Sequence, residues 1–533
     1  MKYRIYIYSV FLIIASVNLA YSQKEELKQQ LIKLNQIVKI ANEKHLNESE
    51  SRTLIDAAIK GLIQKLDPHS YYFTPEEVNL IEKRRSGVFY GLGINYTIIN
   101  DTVTILSVLK AGPAYKHGIR TGDKIISINE KQITYQKPED VESLLNYEKE
   151  VLLNLGILKF NKSALNKLKV KTQKLPSFSV DASFMVEGTD IGYISINRFM
   201  NTTHSEITDS LLELSNKGMK RVIIDLRGNP GGILDEAYMT IDEFIPEGNV
   251  ILMTRGRDPS YNETYNSSGG GKFEHLPLVL LVDKETASAP EIFAGAIQDL
   301  DRGLIIGETT FGKGLVQRPY QFYDGSELWL TVAQYYTPSG RSIQKPYNNN
   351  PNYGTLQDRI VMKDGLNLSH TVEVLPEYGN GEDHSFKTRT GRQVVGLGGV
   401  TPDYIINEDT LSNYSKLIIQ QKLVQKYSVD FFRKNELSLN KLYSDDFRTF
   451  LNDFNIEDET YCEFVNMANA NSISCSLKEL SSDEAYLKLL IKSRIAFMIW
   501  DENKMKQVLV DGSKYIQKAI ELMPVAEQIL HKK

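Results

Sequence analysis

The chain has 533 residues, a length typical of about three domains. Its composition, 41% hydrophobic and 24% charged, is that of a globular protein and excludes a largely disordered or fibrous chain. The net charge of -5, without a basic stripe interleaved with aromatic residues, argues against nucleic acid as a partner.

Residues 1–22 have the features of a signal peptide. Lys2 and Arg4 precede the apolar run IYIYSVFLIIASVNLA, and Ala20 and Ser22 suit the small-residue positions before a cleavage site. We predict cleavage after Ser22 and export to the periplasm or the cell exterior. An uncleaved membrane anchor is the alternative, but the run is short for a span and contains Tyr, Ser and Asn.

Residues 23–85 are predicted to form a helical N-terminal region. Apolar residues at steps of four and three give a first helix one apolar face, made of Leu27, Leu31, Leu34, Val38 and Ala41. A second helix is expected at about 50–65, and TPEE at 74–77 begins another after the motif LDPHSYYF. The first apolar face could pack on the core, or it could mediate a homo-oligomer or an adaptor contact.

Residues 86–175 have the pattern of a β-rich domain. Short apolar runs alternate with glycine turns, and Asn100-Asp101 suits a hairpin turn between two strands. The segment PEDVESLLN at 138–146 predicts a helix, and EVLLNLGILKF and LKVKTQKL predict further strands.

Residues 176–408 are predicted to form an α/β core. From about 190 to 340, short apolar strands alternate with amphipathic helices, which is typical of a sheet buried on both faces. Residues 409–533 have a helical, polar-faced pattern and form a predicted C-terminal extension. The expected fold class is therefore a multidomain α/β protein with an inserted β-rich domain and helical N- and C-terminal regions.

The sequence contains no metal-binding pattern. Its eight histidines are scattered without an H-E-x-x-H motif, and there is no cysteine cluster, so we expect no metal and no organic cofactor. The two cysteines, Cys462 and Cys475, could form a disulfide in an oxidising compartment or remain as unpaired, buried thiols.

The stretch KETASAPEIFAGAI at 284–297 contains Ser288, a candidate nucleophile. Ser288 and Glu291 have the spacing of a capping box, and Pro290 suits a first helical turn, so the local sequence also fits a purely structural role. The apolar strand at 276–283, however, leads directly into this turn. A serine between a strand and a helix lies at the carboxyl edge of the sheet, where backbone amides can stabilise an oxyanion.

A nucleophilic serine needs a base, and no histidine lies in the surrounding strand–helix units. Lys313 stands between two glycines just past the next apolar strand, so its turn and that of Ser288 can meet at one sheet edge. Burial lowers the pKa of a lysine, and a neutral amine can accept the serine proton. The alternatives are an ordinary surface lysine and a Ser/His hydrolase that uses His275 or His204.

The turn RVIIDLRGNPGGIL at 221–234 follows another apolar strand. Its glycines let the backbone approach a ligand closely and direct N–H groups at it. The Gly231 amide could form an oxyanion hole with the amide of Ala289, which directly follows Ser288. A plain turn is the alternative, and the sequence does not separate Gly228 from Gly231 as the donor.

Nine motifs in this order resemble the carboxyl-terminal processing (tail-specific) serine proteases, which have a Ser-Lys dyad and an inserted PDZ domain. They lie between about 60 and 405: LDPHSYY with TPEE, GLGI, AGPAYKHGIRTGDKIISINE, GYISINRF, IIDLRGNPGG, TASAPEIFAGAIQD, GETTFGKGLVQ, LTVAQYYTPSGRSIQ and GLGGVTPD. The resemblance implies a serine endopeptidase in which Ser288 is the nucleophile, Lys313 is the general base and Gln317 orients the lysine. It also implies that 86–175 is a PDZ domain and 176–408 the protease core.

The PDZ domain is expected to bind protein or peptide substrates by their apolar carboxyl-terminal tails. The amides of Leu92, Gly93 and Ile94 can cradle a terminal carboxylate while the peptide adds as a strand beside GINYTI, with helix 138–146 as the other wall of the groove. The chain departs from the family in having NYEKEVLLNLG where a glycine-rich turn usually follows the PDZ helix. A non-catalytic PDZ scaffold that binds protein C-termini is the alternative function.

Overall fold

The computed structural model describes residues 25–48, 50–134, 138–145, 147, 149–347, 385–396, 398–406, 411–474 and 476–531. The predicted signal peptide and Cys475 lie outside these residues, whereas Cys462 is an exposed free thiol. None of the helices within these ranges combines the length and the apolar character needed to cross a lipid bilayer. The chain divides into two compact units, Met1–Val78 with Gln317–Thr331, and Asn79–Val316 with Val332–Lys533.

The helices of the described residues are numbered in chain order. They are α1 (25–44), α2 (Ser51–Ile63), α3 (Pro75–Arg85), α4 (Pro113–Lys116), α5 (Pro138–Leu145), α6 (Thr203–Asn216), α7 (Leu234–Asp242), α8 (Ala289–Asp299), α9 (Asn413–Gln420), α10 (Leu423–Tyr443), α11 (Phe447–Asp453), α12 (Asp458–Ala470), α13 (Leu477–Ile499), α14 (Glu502–Val510) and α15 (Lys514–His531).

The strands are numbered in the same way. They are β1 (Tyr71–Phe73), β2 (Val88–Gly91), β3 (Ile94–Ile99), β4 (Thr102–Val108), β5 (Lys124–Ile128), β6 (Lys131–Gln132), β7 (Leu152–Leu158), β8 (Leu165–Lys171), β9 (Gln173–Pro176), β10 (Val180–Met185), β11 (Ile191–Ile196), β12 (Arg221–Asp225), β13 (Val250–Gly256), β14 (Thr264–Asn266), β15 (Leu278–Val282), β16 (Leu304–Gly307), β17 (Leu315–Gln321), β18 (Glu327–Tyr336), β19 (Ser385–Lys387), β20 (Gln393–Val395) and β21 (Tyr404–Ile405).

The first unit contains the predicted N-terminal helices. Helix α1 confirms the periodic apolar pattern, but its leucines are exposed, with Leu27 at 60% and Leu31 at 58%. Helix α2 contacts β1, and β1 pairs antiparallel with the start of β18, where Tyr71 lies opposite Trp329. The apolar face of α1 is therefore largely exposed rather than buried in the core of this unit.

The β-rich region of the second unit is an antiparallel sheet in the order β3-β4-β5-β7-β8, with β6 paired to β5. Asn100 and Asp101 both have positive φ, 47° and 55°, as a two-residue hairpin turn of this type requires, which confirms the turn between β3 and β4. Helix α5 and strand β7 confirm the predicted helix and the strand that follows it. The single strand predicted at LKVKTQKL, 168–175, is wrong, because the segment is divided between the end of β8 and β9, which belong to different sheets.

The α/β core of the second unit is a sheet in the order β10-β11-β12-β15-β16-β21. Its neighbouring strands are parallel except at the β10–β11 pair. One face packs against α6, α7 and α8, and the other face is covered by α15 through Ile516, Ala519 and Met523. The expectation of a sheet buried on both faces is confirmed, and the C-terminal helix α15 provides one of its two covers.

The C-terminal extension is helical throughout its described residues, as predicted. Helices α9 to α14 enclose a hydrophobic core of their own, which includes Phe432, Phe450, Phe464 and Ile491. We call this part of the chain, Asn413–Val510, the helical bundle. It has its own core, separate from the one around the parallel sheet.

Candidate active site

Ser288 lies in the turn between β15 and α8, at the N-cap position of the helix. Its φ of 67° is in the left-handed region, which is uncommon for a residue other than glycine. Strain of this kind costs on the order of 1–3 kcal/mol and is concentrated at functional sites. The backbone amide of Ser288 donates to Oε2 of Glu291 at 2.8 Å, so the spacing that suggested a capping box does form a helix cap.

Glu291 connects the Ser288 turn to the segment that contains Lys313. Its Oε2 accepts from the amides of Ser288 and Lys313, both at 2.8 Å. Its Oε1 accepts from the Thr310 hydroxyl and the Gly312 amide, both at 2.6 Å. The side chain is fully buried, and burial raises the pKa of Glu291 while these hydrogen bonds oppose that increase. One carboxylate therefore fixes the backbone on both sides of the candidate dyad.

Lys313 is 3% exposed and lies between β16 and β17, as its position after an apolar strand predicted. The hydroxyl of Tyr335 lies within hydrogen-bonding distance of the carbonyl oxygens of Ser288, at 3.2 Å, and Lys313. Glu291 and Tyr335 thus link the same two residues, one through their amides and the other through their carbonyl groups. Lys313 is a buried residue, which contradicts the alternative of an ordinary surface lysine.

Gly231 lies directly against the Ser288 turn. Its φ is 110°, and a Cβ atom at this position would lie 2.8 Å from the Ala287 carbonyl oxygen and 3.4 Å from Oγ of Ser288. Its amide donates to Oδ1 of Asn229 at 2.9 Å, whereas the Gly228 amide donates to the Asp283 carboxylate at 2.9 and 3.0 Å. The structure brings Gly231 next to Ser288, with the Gly231 amide bonded inside its own loop.

Asn229 holds the two loops together. Its backbone carbonyl accepts from the Ala287 amide at 3.0 Å, and its side-chain amide donates to the carbonyl oxygen of Ile196 at 2.9 Å. Because Asn229 is fully buried, each of these polar groups needs its partner. The glycine loop, the Ser288 turn and the end of β11 are thereby fixed relative to one another.

An ion pair between the buried Asp225 and the partly exposed Arg227 lies at the start of the glycine loop. The Arg227 guanidinium donates to both carboxylate oxygens of Asp225, at 2.9 and 2.6 Å, and Tyr193 donates to Asp225 at 2.7 Å. Burial alone would raise the pKa of Asp225, but the charge and hydrogen bonds of Arg227 outweigh it and lower that pKa below its ordinary value. Arg227 also lies over the ring of Tyr515 in α15, at 4.5 Å.

The remaining candidates from the sequence lie in other settings. Gln317 belongs to the first unit, where its side-chain amide donates to the carbonyl oxygen of His69. His204 lies 3.1 Å from a carboxylate oxygen of Glu243, and His275 is exposed. Among the described residues there is no group of three histidine, cysteine or acidic side chains that could hold a metal ion.

The candidate carboxylate-binding loop lies between β2 and β3. Gly93 has φ 71°, and the carbonyl groups of Leu92 and Gly93 accept from the amides of Ala114 and Leu109, at 3.0 and 2.9 Å. Strand β3, which begins at Ile94, stands at the end of its sheet. Within the described residues, the outer edge of β3 has no neighbouring strand in that sheet.

Sequence reasoning missed the residues that join the site elements. Glu291 was noticed only as a helix cap, because its bonds to Thr310, Gly312 and Lys313 span 19 to 22 residues. Tyr335 is 47 residues from Ser288 and carries no local signal. The asparagine of the GNPGG turn was treated as a turn residue, although its place between Gly228 and Pro230 was the available sign of a tightly bonded loop.

Three regions of the chain match family models. Residues 190–361 match peptidase family S41, 91–171 match the PDZ domain family, and 414–501 match a family of unknown function.

Among known proteins, a "probable CtpA-like serine protease" of Staphylococcus aureus (strain N315) is 34% identical over 315 residues. That match covers 59% of this chain and 62% of the relative. A "carboxy-terminal-processing protease" of Bartonella bacilliformis is 32% identical over 340 residues, which cover 63% of this chain and 77% of that protein. Among solved structures, "photosystem II D1 C-terminal processing protease" has 24% identity and a TM-score of 0.36, covering 72% of this chain and 89% of that one.

The match to the Bartonella protein extends over most of that protein, and the S41 and PDZ regions follow in the order that the motifs predict. The chain belongs to the carboxy-terminal-processing serine proteases of peptidase family S41 and contains a PDZ domain.

Proposed function

We propose that this protein is a serine endopeptidase with a Ser288–Lys313 dyad that cleaves proteins recognised by their apolar C-terminal tails. The observation that carries the proposal is the pair of links between these residues, through the Glu291 carboxylate and the Tyr335 hydroxyl. A strained serine at the carboxyl edge of a parallel sheet, with a buried lysine on the adjacent turn, suits a nucleophile and its base.

The chemistry follows from these roles. The neutral amine of Lys313 takes the hydroxyl proton as Oγ of Ser288 bonds to the scissile carbonyl carbon. That proton then passes to the leaving amine as the C–N bond breaks, which leaves an acyl-enzyme. Water attacks the ester and gives a proton to Lys313, and the Ser288 hydroxyl is restored as the acid product leaves. No metal or organic cofactor takes part in these steps.

Backbone amides stabilise the oxyanion in this mechanism. The Ala289 amide is at the first position of α8, where amides have no acceptor within the helix. The Gly231 amide is the second donor, and its contact with Ser288 supports this choice over Gly228, whose amide is bonded to Asp283. To stabilise the oxyanion fully, the Gly231 amide must exchange its hydrogen bond to Oδ1 of Asn229 for one to the oxyanion in the transition state. Gln317 has the role of orienting Lys313, as the family resemblance implies.

The PDZ domain selects the substrate. The amides of Leu92, Gly93 and Ile94 receive the terminal carboxylate, and the tail pairs with the open edge of β3 while α5 forms the opposite wall. The groove selects apolar side chains because their burial makes the main contribution to the affinity.

Export and self-association complete the proposal. The sequence of 1–22 supports a periplasmic or extracellular location. The exposed leucines of α1 support association with a second copy or an adaptor, since apolar side chains at helical spacing are stabilised by burial. Replacing Leu27 and Leu31 with serine should then lower the oligomeric mass measured by sedimentation.

The test is cleavage of an unstructured peptide with an apolar free carboxyl terminus by the chain from Gln23 onwards. Ser288→Ala should abolish cleavage, and amidation of the peptide terminus should slow the parent enzyme. A parent chain that binds the free tail but cuts neither peptide would support the alternative, a non-catalytic PDZ scaffold. Cleavage by Ser288→Ala at the parental rate would refute the assignment of the nucleophile.

A further inference from the structure

The helical bundle lies between the PDZ domain and the protease core and contacts both. It contains the whole of the region that matches a family of unknown function, 414–501. Its own hydrophobic core shows that its helices pack against one another as a unit. The contacts on its two sides therefore indicate what the bundle does.

On the PDZ side, helix α10 packs against the turn before β5. A Cβ atom at Gly122 in this turn would lie 3.0 Å from Cγ of Arg433 and 3.3 Å from Cγ1 of Val429, which leaves no room for a side chain. The Arg433 guanidinium lies 5.3 Å from the ring centre of Phe160, in the turn between β7 and β8. Val429 and Arg433 lie four residues apart and therefore on the same face of α10. That face contacts two loops of the PDZ domain.

The charges at this contact are complementary. Asp430 follows Val429 on α10 and is half-buried, and burial raises the pKa of Asp430. Nearby lysines oppose this effect, and one of them, Lys124 in β5, belongs to the PDZ domain. The opposite charges of Asp430 on the bundle and Lys124 on the PDZ domain therefore attract each other across this contact.

On the protease side, α14 lies along β10, the edge strand of the parallel sheet. The Asn503 side chain accepts from the Ser183 amide and donates to the Ser183 carbonyl, both at 3.2 Å. One side-chain amide thereby satisfies both polar groups that an edge residue leaves unpaired. Arg448 of the bundle also pairs with Glu187 at 2.9 Å, beyond the end of β10.

The chain between the two domains is short. Strand β9 ends the PDZ region at Pro176, and β10 begins at Val180. Among the described residues, β9 and β2 form a sheet of two strands, and a two-stranded ribbon is a weak connection for a domain. The bundle supplies a second attachment, at the turn before β5 and the turn after β7.

We propose that the helical bundle is a mount that fixes the PDZ domain to the protease core and transmits tail binding to the active site. The proposal rests on the proposed function, because it concerns how a tail bound by the PDZ domain affects cleavage. Loosening the mount leaves tail affinity intact, since the bundle contacts lie at Gly122 and Phe160 rather than at the Leu92–Ile94 loop. Loosening the mount does, however, reduce the factor by which a free tail accelerates cleavage.

The test uses the full exported chain with Asp430→Lys, which replaces the attraction to Lys124 by repulsion. The measured quantity is the ratio of kcat/KM for a free-tail peptide to that for its amidated form. We expect this ratio to fall about two- to thirtyfold, the range that substitutions at coupling contacts produce. The charge reversal Asp430→Lys with Lys124→Glu should restore it. Arg433→Ala, which removes the contact with Phe160, is a second variant, and Leu437→Ala, at an 89% exposed position on α10, is the control.

Hydrogen exchange of the Ile119–Asp123 turn provides a readout that does not depend on activity. It should become faster in Asp430→Lys and Arg433→Ala, with tail affinity measured by fluorescence anisotropy unchanged. An unchanged cleavage ratio in both variants would refute the proposal that the bundle transmits tail binding, whatever the exchange rates. If the parent enzyme itself shows no preference for a free tail, the tail-reading part of the proposed function fails, and unchanged exchange would then refute the mount independently.

Discussion

The amides of Ser288 and Lys313 donate to the same oxygen atom, Oε2 of Glu291, at 2.8 Å each. The proposed nucleophile and its proposed base belong to different turns, and one buried carboxylate thereby holds both. Tyr335 repeats the link through their carbonyl groups. The alignment of the dyad thus depends on residues that do not themselves react.

Glu291→Gln should lower kcat about 10- to 100-fold. In the parent, both carboxylate oxygens accept from backbone amides and a hydroxyl, and the variant would place an N–H₂ donor against some of these donors. A displacement of about 1 Å in an active site can cost a factor of this size. Steady-state kinetics measures the effect, and tail affinity should stay at the parental value. Glu213→Gln, at an exposed glutamate of α6, is the matched control. An unchanged kcat in Glu291→Gln would show that the shared carboxylate does not position the dyad.

Gly231→Ala should reduce kcat by about a hundredfold or more. The added methyl group would lie 2.8 Å from the Ala287 carbonyl oxygen and 2.9 Å from Cβ of Ser288, so the turn has to move. Gly188→Ala is the control, since Gly188 also has positive φ, 70°, but has nothing within 4 Å of the added atom. Both variants should lose on the order of 1–2 kcal/mol of stability from backbone strain. Equal activities in the two variants would contradict a tight contact between Gly231 and the nucleophile.

Gly93→Ala should weaken tail binding about tenfold, because strain of about 1–3 kcal/mol falls on the carboxylate loop. The added Cβ would lie 3.2 Å from Cα of Gly112, at a φ of 71°. Fluorescence anisotropy with a labelled tail peptide measures the loss, and cleavage of the amidated peptide should be unaffected. Gly118→Ala, in the same domain at φ 74° and in open space, should bind normally. Parental affinity in Gly93→Ala would place the tail elsewhere.

Asp225→Asn should lower stability at neutral pH by about 1–3 kcal/mol, because the partly exposed Arg227 loses its charged hydrogen-bond partner. The pKa of Asp225 is lowered in the folded chain, so its stabilising effect is present above the ordinary aspartate pKa of about 4 and is lost as the pH falls through the folded value. Urea unfolding of parent and variant should therefore differ most at pH 7 and converge in acid. Asp209→Asn, at an exposed position of α6, should show little difference. A gap of equal size at pH 7 and pH 3 would contradict this account.

Local features of the sequence predicted the elements but not the contacts between them. The Asn100-Asp101 turn and the helix that follows Ser288 were predictable because hairpin turns and helix caps depend on adjacent residues. The hydrogen bond between Asn503 and Ser183 spans 320 residues, and neither local sequence indicates it. The roles of Glu291 and Tyr335 depend on the folding of β16 and β18 around the site, which periodicity does not reveal.

The measurement that tests the dyad most directly is the turnover of a free-tail peptide by Lys313→Ala, compared with the parent and with Ser288→Ala. Loss of a general base should lower kcat by about 10²- to 10⁴-fold, while tail binding and thermal stability show that the variant remains folded. Such a loss, with Ser288→Ala inactive, is the result that we expect. If Lys313→Ala cleaves the peptide at the parental rate, the base is another group and the Ser-Lys mechanism is wrong.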